Sequence, residues 1–144
     1  MKKGMKLFAV AVSVLLLAVA VAACSEETKS YNDGTFVGVS GKDDKGAYGE
    51  VTITIEEGTV TDCKFVTWQE DGSIKDENYG KVNGQISNAD YYAKAQLAVK
   101  AMKQYAQDFL DKKDIKEVKS VTGATIAHSQ FTEAVESALK KAEK

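Results

Sequence analysis

The residue types and spacing that offer most chemistry lie in Ser120-Val121-Thr122-Gly123-Ala124-Thr125. A Gly-Ala pair stands between two threonines and leads straight into a helical pattern. Gly123 tolerates a positive φ and lets a ligand come close to the backbone, and Ala124 keeps the approach open. Thr122 and Thr125 supply hydroxyls. The first amides of a helix have no partners within it, and that end of the helix is positive, so the segment is a natural seat for a phosphate. The same residue types also make an ordinary helix N-cap, and the string alone leaves both readings open. His128, the single histidine, falls one helical turn from Thr125. It reads either as a partner for a phosphate or ring, or as an exposed helical side chain. One histidine and two cysteines give no metal-ligand set. The chain has no Ser-His-Asp set, no acidic pair and no nucleotide-binding Gly fingerprint, so substrate turnover by side chains is not expected.

The start of the chain sets the compartment. Lys2, Lys3 and Lys6 precede a run from Leu7 to Ala23 in which only Ser13 is not apolar, and Val21-Ala22-Ala23-Cys24 follows. A basic start, an apolar stretch and small residues before a cut point describe a secretory signal peptide over residues 1–23. A Cys directly after the small residues resembles the bacterial lipobox, which implies lipidation of Cys24 after cleavage. Two or more acyl chains anchor a protein stably. An uncleaved span is the other reading of the apolar run. Residues 1–23 carry three lysines and no acid, which leaves 16 basic against 21 acidic residues, net −5. That balance argues against nucleic acid as a partner. With Cys24 lipidated, Cys63 has no mate and reads as a small buried hydrophobe.

The elements that must position the turn follow from periodicity. Ser25 to Asn32 is polar and reads as a tether, making 24–32 anchor and tether and 33–144 one domain. Thr35–Val39 reads as a short strand. Val51, Ile53 and Ile55 alternate with Thr52, Thr54 and Glu56 as a half-buried strand, Glu57-Gly58 turns the chain, and Thr59–Trp68 returns with a slip that marks a bulge. Glycines and asparagines from Asp71 to Gly84 mark a long loop. Ser87 with Asp90 forms a capping box. A helix over Asp90–Asp111 buries Tyr91, Ala95, Ala98, Met102, Tyr105 and Phe109, with Lys94, Lys100 and Lys103 elsewhere. Ile115–Val121 reads as extended. A last helix starts between Thr125 and Ser129 and buries Phe131, Ala134, Val135, Ala138, Leu139 and Ala142. The fold class is α+β: a small antiparallel meander packed by a long amphipathic helix and a C-terminal helix. Trp68 and Tyr79 are aromatic candidates for stacking on a flat ligand, with core packing the alternative. Glu77 and Asn78 are loop candidates for bonding a ring edge, or simply solvated.

Thr122-Gly123-Ala124-Thr125 resembles the flavin-attachment motif of the FMN-binding domain family, in which the last Thr or Ser carries FMN through a phosphoester. Tyr31-Asn32-Asp33-Gly34-Thr35-Phe36-Val37-Gly38 is similar to the opening of these domains. Lys75-Asp76-Glu77-Asn78-Tyr79-Gly80-Lys81 resembles a segment of the flavinylated lipoproteins of Gram-positive extracellular electron transfer. The resemblance implies FMN as cofactor, Thr125 as its covalent site, and Thr122, Gly123 and Ala124 as residues that shape the turn and contact the phosphate. It implies a flavin transferase as partner, which takes FAD and a divalent metal and releases AMP. It implies a membrane dehydrogenase or quinone-linked electron donor. The protein would be an extracytoplasmic flavoprotein, lipid-anchored to the cell membrane, that relays electrons. The alternatives are a non-flavinylated surface lipoprotein acting as a ligand- or partner-binding module, and a small flavin reductase. Two positions depart from the family's pattern: Lys119 stands where an acid is usual, and Ala127 where Ser or Thr is common.

Overall fold

The computed structural model describes residues 29–144. Residues 1–23, read as a signal peptide, and Cys24 lie outside the described residues. Three strands, β1 (Gly34–Lys42), β2 (Tyr48–Glu56) and β3 (Thr59–Trp68), form one antiparallel meander in sequence order. Two helices follow, α1 (Ala89–Lys112) and α2 (Thr125–Ala142). This is the α+β arrangement that the alternation implied. Among the described residues no helix is long and apolar enough to cross a membrane.

The sheet has one dry face because β2 alternates. Val51, Ile53 and Ile55 are buried while Thr52 and Thr54 stay half-exposed, as a period of two requires. Glu57 and Gly58 both take positive φ, 52° and 72°, the two-residue turn whose twist suits a hairpin. The slip in β3 is a bulge: Thr54 pairs with Asp62, but Ile55 pairs with Val60.

Both helices lie on the dry face. α2 runs so close to β1 that a Cβ on Gly38 would strike the backbone of Ala134 and Ala138. α1 covers β3, where Thr67 Oγ1 reaches Met102 Sδ at 3.5 Å. Between the layers Phe131 sits against Phe65, Tyr105 and Phe109, with ring centroids 5.0, 6.0 and 6.2 Å away.

Several local expectations are corrected. The α1 cap is Asn88 rather than Ser87, with Asn88 Oδ1 accepting Tyr91 N at 2.9 Å. Tyr91 is 48% exposed and does not join the core. Ile115–Glu117 is a 3₁₀ turn capped by Asp114, whose Oδ1 accepts Lys116 N at 2.9 Å, so the extended run begins only at Val118. The polar run read as a tether is docked from Lys29 onward: Asn32 N donates to Ala142 O at 2.8 Å, and Lys144 N to Ser30 O at 3.1 Å. The long loop is strapped to α1, with Gln96 Nε2 donating to Asp76 O (3.1 Å) and Tyr79 O (2.9 Å) and Tyr92 Oη donating to Glu77 O (3.0 Å).

Candidate functional site

Val121-Thr122-Gly123-Ala124 forms a tight turn closed by Ala124 N donating to Val121 O at 2.9 Å. Its third residue, Gly123, has φ 86°, where a side chain is disfavoured and glycine is the natural occupant. A Cβ on Gly123 would also lie 3.0 Å from Leu97 Cδ2 of α1. The turn therefore rests directly on α1 and needs a bare backbone to do so.

Tyr105 fixes both ends of the turn. Its hydroxyl accepts Val121 N at 2.9 Å and donates to Ala124 O at 3.2 Å, and the side chain is fully buried. His128 adds a third tie. A carbonyl can only accept, so His128 Nε2 carries the proton and donates to Val118 O at 2.8 Å. The imidazole meets Tyr105 edge-on at 5.2 Å. His128 is thus a half-buried structural residue, and the reading of it as a free helical side chain is corrected. Its Nε2 is committed to the backbone rather than open to a ligand.

The start of α2 is chemically open. Its cap residue is Ala124, which has no side-chain group to satisfy the first amides. Among the described residues the amides of Thr125, Ile126 and Ala127 have no acceptor; the first paired one is His128 N, on Ala124 O at 3.0 Å. Thr122 and Thr125 are exposed, and among the described residues their hydroxyls bond nothing, so neither threonine acts as the cap. The arrangement departs from an ordinary N-cap at the point that matters: donors and hydroxyls are left for an outside acceptor at the positive helix end. These residues fit a phosphate monoester. Ile126, 63% exposed, and Leu97, 39% exposed, flank the turn with apolar surface that suits the flat apolar body of a flavin.

The other candidates fall elsewhere. Thr67 faces α1, so alternation puts Trp68 on the opposite face of the sheet, away from the helix layer; its Nε1 is buried without a partner. Tyr79 belongs to the loop. Burial, then the neighbouring Tyr91 hydroxyl, pushes its phenol up to about 12, and Lys75 Nζ lies 5.2 Å from its ring centre. Burial holds the Lys75 ammonium below its ordinary range, and Asp43 partly offsets that. Tyr79 borders an open cavity of about 660 Å³ that also takes in Ile74, Val82 and Tyr91. Asn78 Oδ1 accepts Lys81 Nζ at 3.1 Å, so the loop engages it internally. Glu77 is exposed. Lys119 is exposed, its Nζ 3.5 Å from Lys116 O. A larger cavity, about 770 Å³, lies between Tyr31, Phe109, Lys113 and Leu139. It sits on the second half of α2, where Glu136 and Leu139 lie about 16 and 21 Å from Thr125 at 1.5 Å per residue. Cys63 is buried, and burial followed by Asp62 pushes its thiol up to about 12.

Sequence periodicity placed Tyr105 in the core but carried no sign of its two backbone bonds. Leu97, outside the apolar stripe, gave no signal at all.

The fold is similar to the crystal structure of the CPE2226 protein from Clostridium perfringens, at TM-score 0.61 and 22% identity over 78% of this chain and 88% of that one. A solution structure from Clostridium thermocellum aligns at 22% identity over 78% of this chain and 93% of that one, with TM-score 0.49. No curated protein matches. The family model for the FMN-binding domain matches residues 44–140, a span that contains the whole turn and α2 as far as Lys140. The chain belongs to the FMN-binding domain family, with FMN as its cofactor.

Proposed function

We propose that this flavoprotein is an electron carrier, anchored by lipid at Cys24 to the outer face of the cell membrane, with FMN joined to Thr125 by a phosphoester. The observation that carries the covalent assignment is the exposed, unbonded Thr125 hydroxyl at a helix start whose three leading amides lack acceptors. A flavin transferase would supply the group from FAD. Thr125 Oγ bonds to the FMN phosphorus, the bond from that phosphorus to the AMP oxygen breaks, AMP leaves, and the hydroxyl proton passes to a base. The amides of Thr125, Ile126 and Ala127 then hold the phosphate oxygens, and Gly123 leaves the backbone open to them. Bound FMN supplies the redox chemistry; the protein holds and orients it. No cluster of side chains at the turn provides a general acid and base for substrate turnover, which favours carriage over catalysis. A membrane dehydrogenase or quinone-linked protein is the proposed donor.

The test is co-expression of the mature domain with a flavin transferase, followed by denaturation. Flavin absorbance should stay with wild type and with Thr122→Val and be lost in Thr125→Val. Covalent flavin surviving in Thr125→Val would refute the assignment.

A further inference from the structure

α1 outruns α2. The stripe on α1 that the sequence marks as apolar is buried at Met102, against β3, and at Tyr105 and Phe109, against α2. One to three turns earlier the same stripe is covered only in part: Ala95 is buried against Gly80, but Ala98 is half-buried and Tyr91 is 48% exposed. Thr125 begins α2, so this part-open stretch of α1 starts beside the acceptor turn. Leu97 marks the join, since it touches Gly123. Lys94 sits one turn before Leu97 and Ala98, about 40° from Ala98 and about 60° from Tyr91 around the axis. It is exposed. Among the described residues the one ion pair is Lys29–Glu143, so Lys94 has no carboxylate partner.

We infer that the ledge of Tyr91, Lys94, Leu97 and Ala98 is where the flavin ring lies, and that Lys94 faces its pyrimidine edge. The inference rests on the proposal that FMN is attached at Thr125. A phosphate held at the α2 start leaves the ribityl chain and ring to extend along the nearest uncovered apolar surface. That surface is the ledge, which joins the turn where Leu97 meets Gly123. The cavity on the second half of α2 is about 16–21 Å away along the helix, farther from Thr125 than the ledge that meets Gly123. Reduction of the ring by two electrons and one proton leaves one negative charge on the pyrimidine edge. An unpaired ammonium beside that edge stabilises the charge, and so raises the reduction potential.

Spectroelectrochemical titration of the covalently flavinylated mature chain tests this, with Lys94→Gln compared with Lys103→Gln. Lys103 lies about 140° from Ala98 around α1, and both changes keep a good helix former. Lys94→Gln should shift the reduction equilibrium three- to tenfold toward the oxidised ring, about 15–30 mV for two electrons, with attachment intact. Lys103→Gln should leave it in place, and Leu97→Ser should change the visible circular dichroism of the ring. Equal potentials in the two lysine variants, with unchanged dichroism in Leu97→Ser, overturn the ledge while leaving the attachment standing. Wild type without covalent flavin removes the attachment and the ledge together.

Discussion

Replacing Tyr105 by Phe isolates the clamp on the Val121–Ala124 turn. The ring and its contacts with Phe131 and His128 are retained, so little apolar burial changes. What disappears is one hydroxyl that accepts Val121 N and donates to Ala124 O. Ala124 O keeps His128 N as a donor, so its loss is limited to the net value of one hydrogen bond, about 0.5–1.5 kcal/mol. Val121 N is left partly buried with no acceptor, which costs about 1–3 kcal/mol. The total, about 1.5–4.5 kcal/mol, should lower the urea midpoint by roughly 1–2 M at an unchanged slope. The turn itself should loosen, so the yield of covalent flavin at a fixed time of exposure to transferase should fall more than the folded fraction does. Urea melts followed by circular dichroism, with flavin absorbance after denaturation, report both. A midpoint within about 0.2 M of wild type, with full flavin yield, would refute the clamp.

Gly123→Ala should cost about 1–2 kcal/mol, because φ is 86° and the new methyl meets Leu97; urea melts check it, and a stabilised variant would contradict the geometry. Gly38→Ala should leave little soluble folded protein, since α2 would have to lift off β1; a normal melting curve would count against the close packing of these elements. Cys63 gives a pH prediction with a definite sign. Its thiol binds its proton more tightly in the fold than in the open chain, so its contribution is complete below about 9 and is lost as pH rises toward about 12. Alkaline melts should show a smaller loss of stability over that window in Cys63→Ala than in wild type, and parallel curves would show the thiol to be uninvolved.

Periodicity made the framework legible where one face is wet and the other dry. β2 declares itself through Val51, Ile53 and Ile55, and α2 through Phe131, Ala134, Val135 and Ala138, all buried. Cap identity was less legible. Ser87 and Asn88 are both good cap residues, and the backbone path from the loop selects Asn88. The run after α1 read as extended because Ile115, Val118 and Val121 are apolar, yet Asp114 closes a 3₁₀ turn by bonding Lys116 N. That turn precedes Val118, whose carbonyl holds His128, so misreading it hid the role of the histidine. The acceptor turn was legible as residue types, and its openness was not. Only the structure shows that the cap position is Ala124, so that neither threonine hydroxyl is spent on the helix. A hydrogen-bond partner distant in sequence, such as Tyr105 for Val121, leaves no local pattern to read.

Peptide mapping by mass spectrometry on protein isolated from its native cells tests the central claim most directly. The account predicts FMN on the peptide containing Thr122 to Thr125, with fragment ions that put the phosphoester on Thr125. An unmodified peptide in fully folded protein, or the flavin on any other residue, would contradict it.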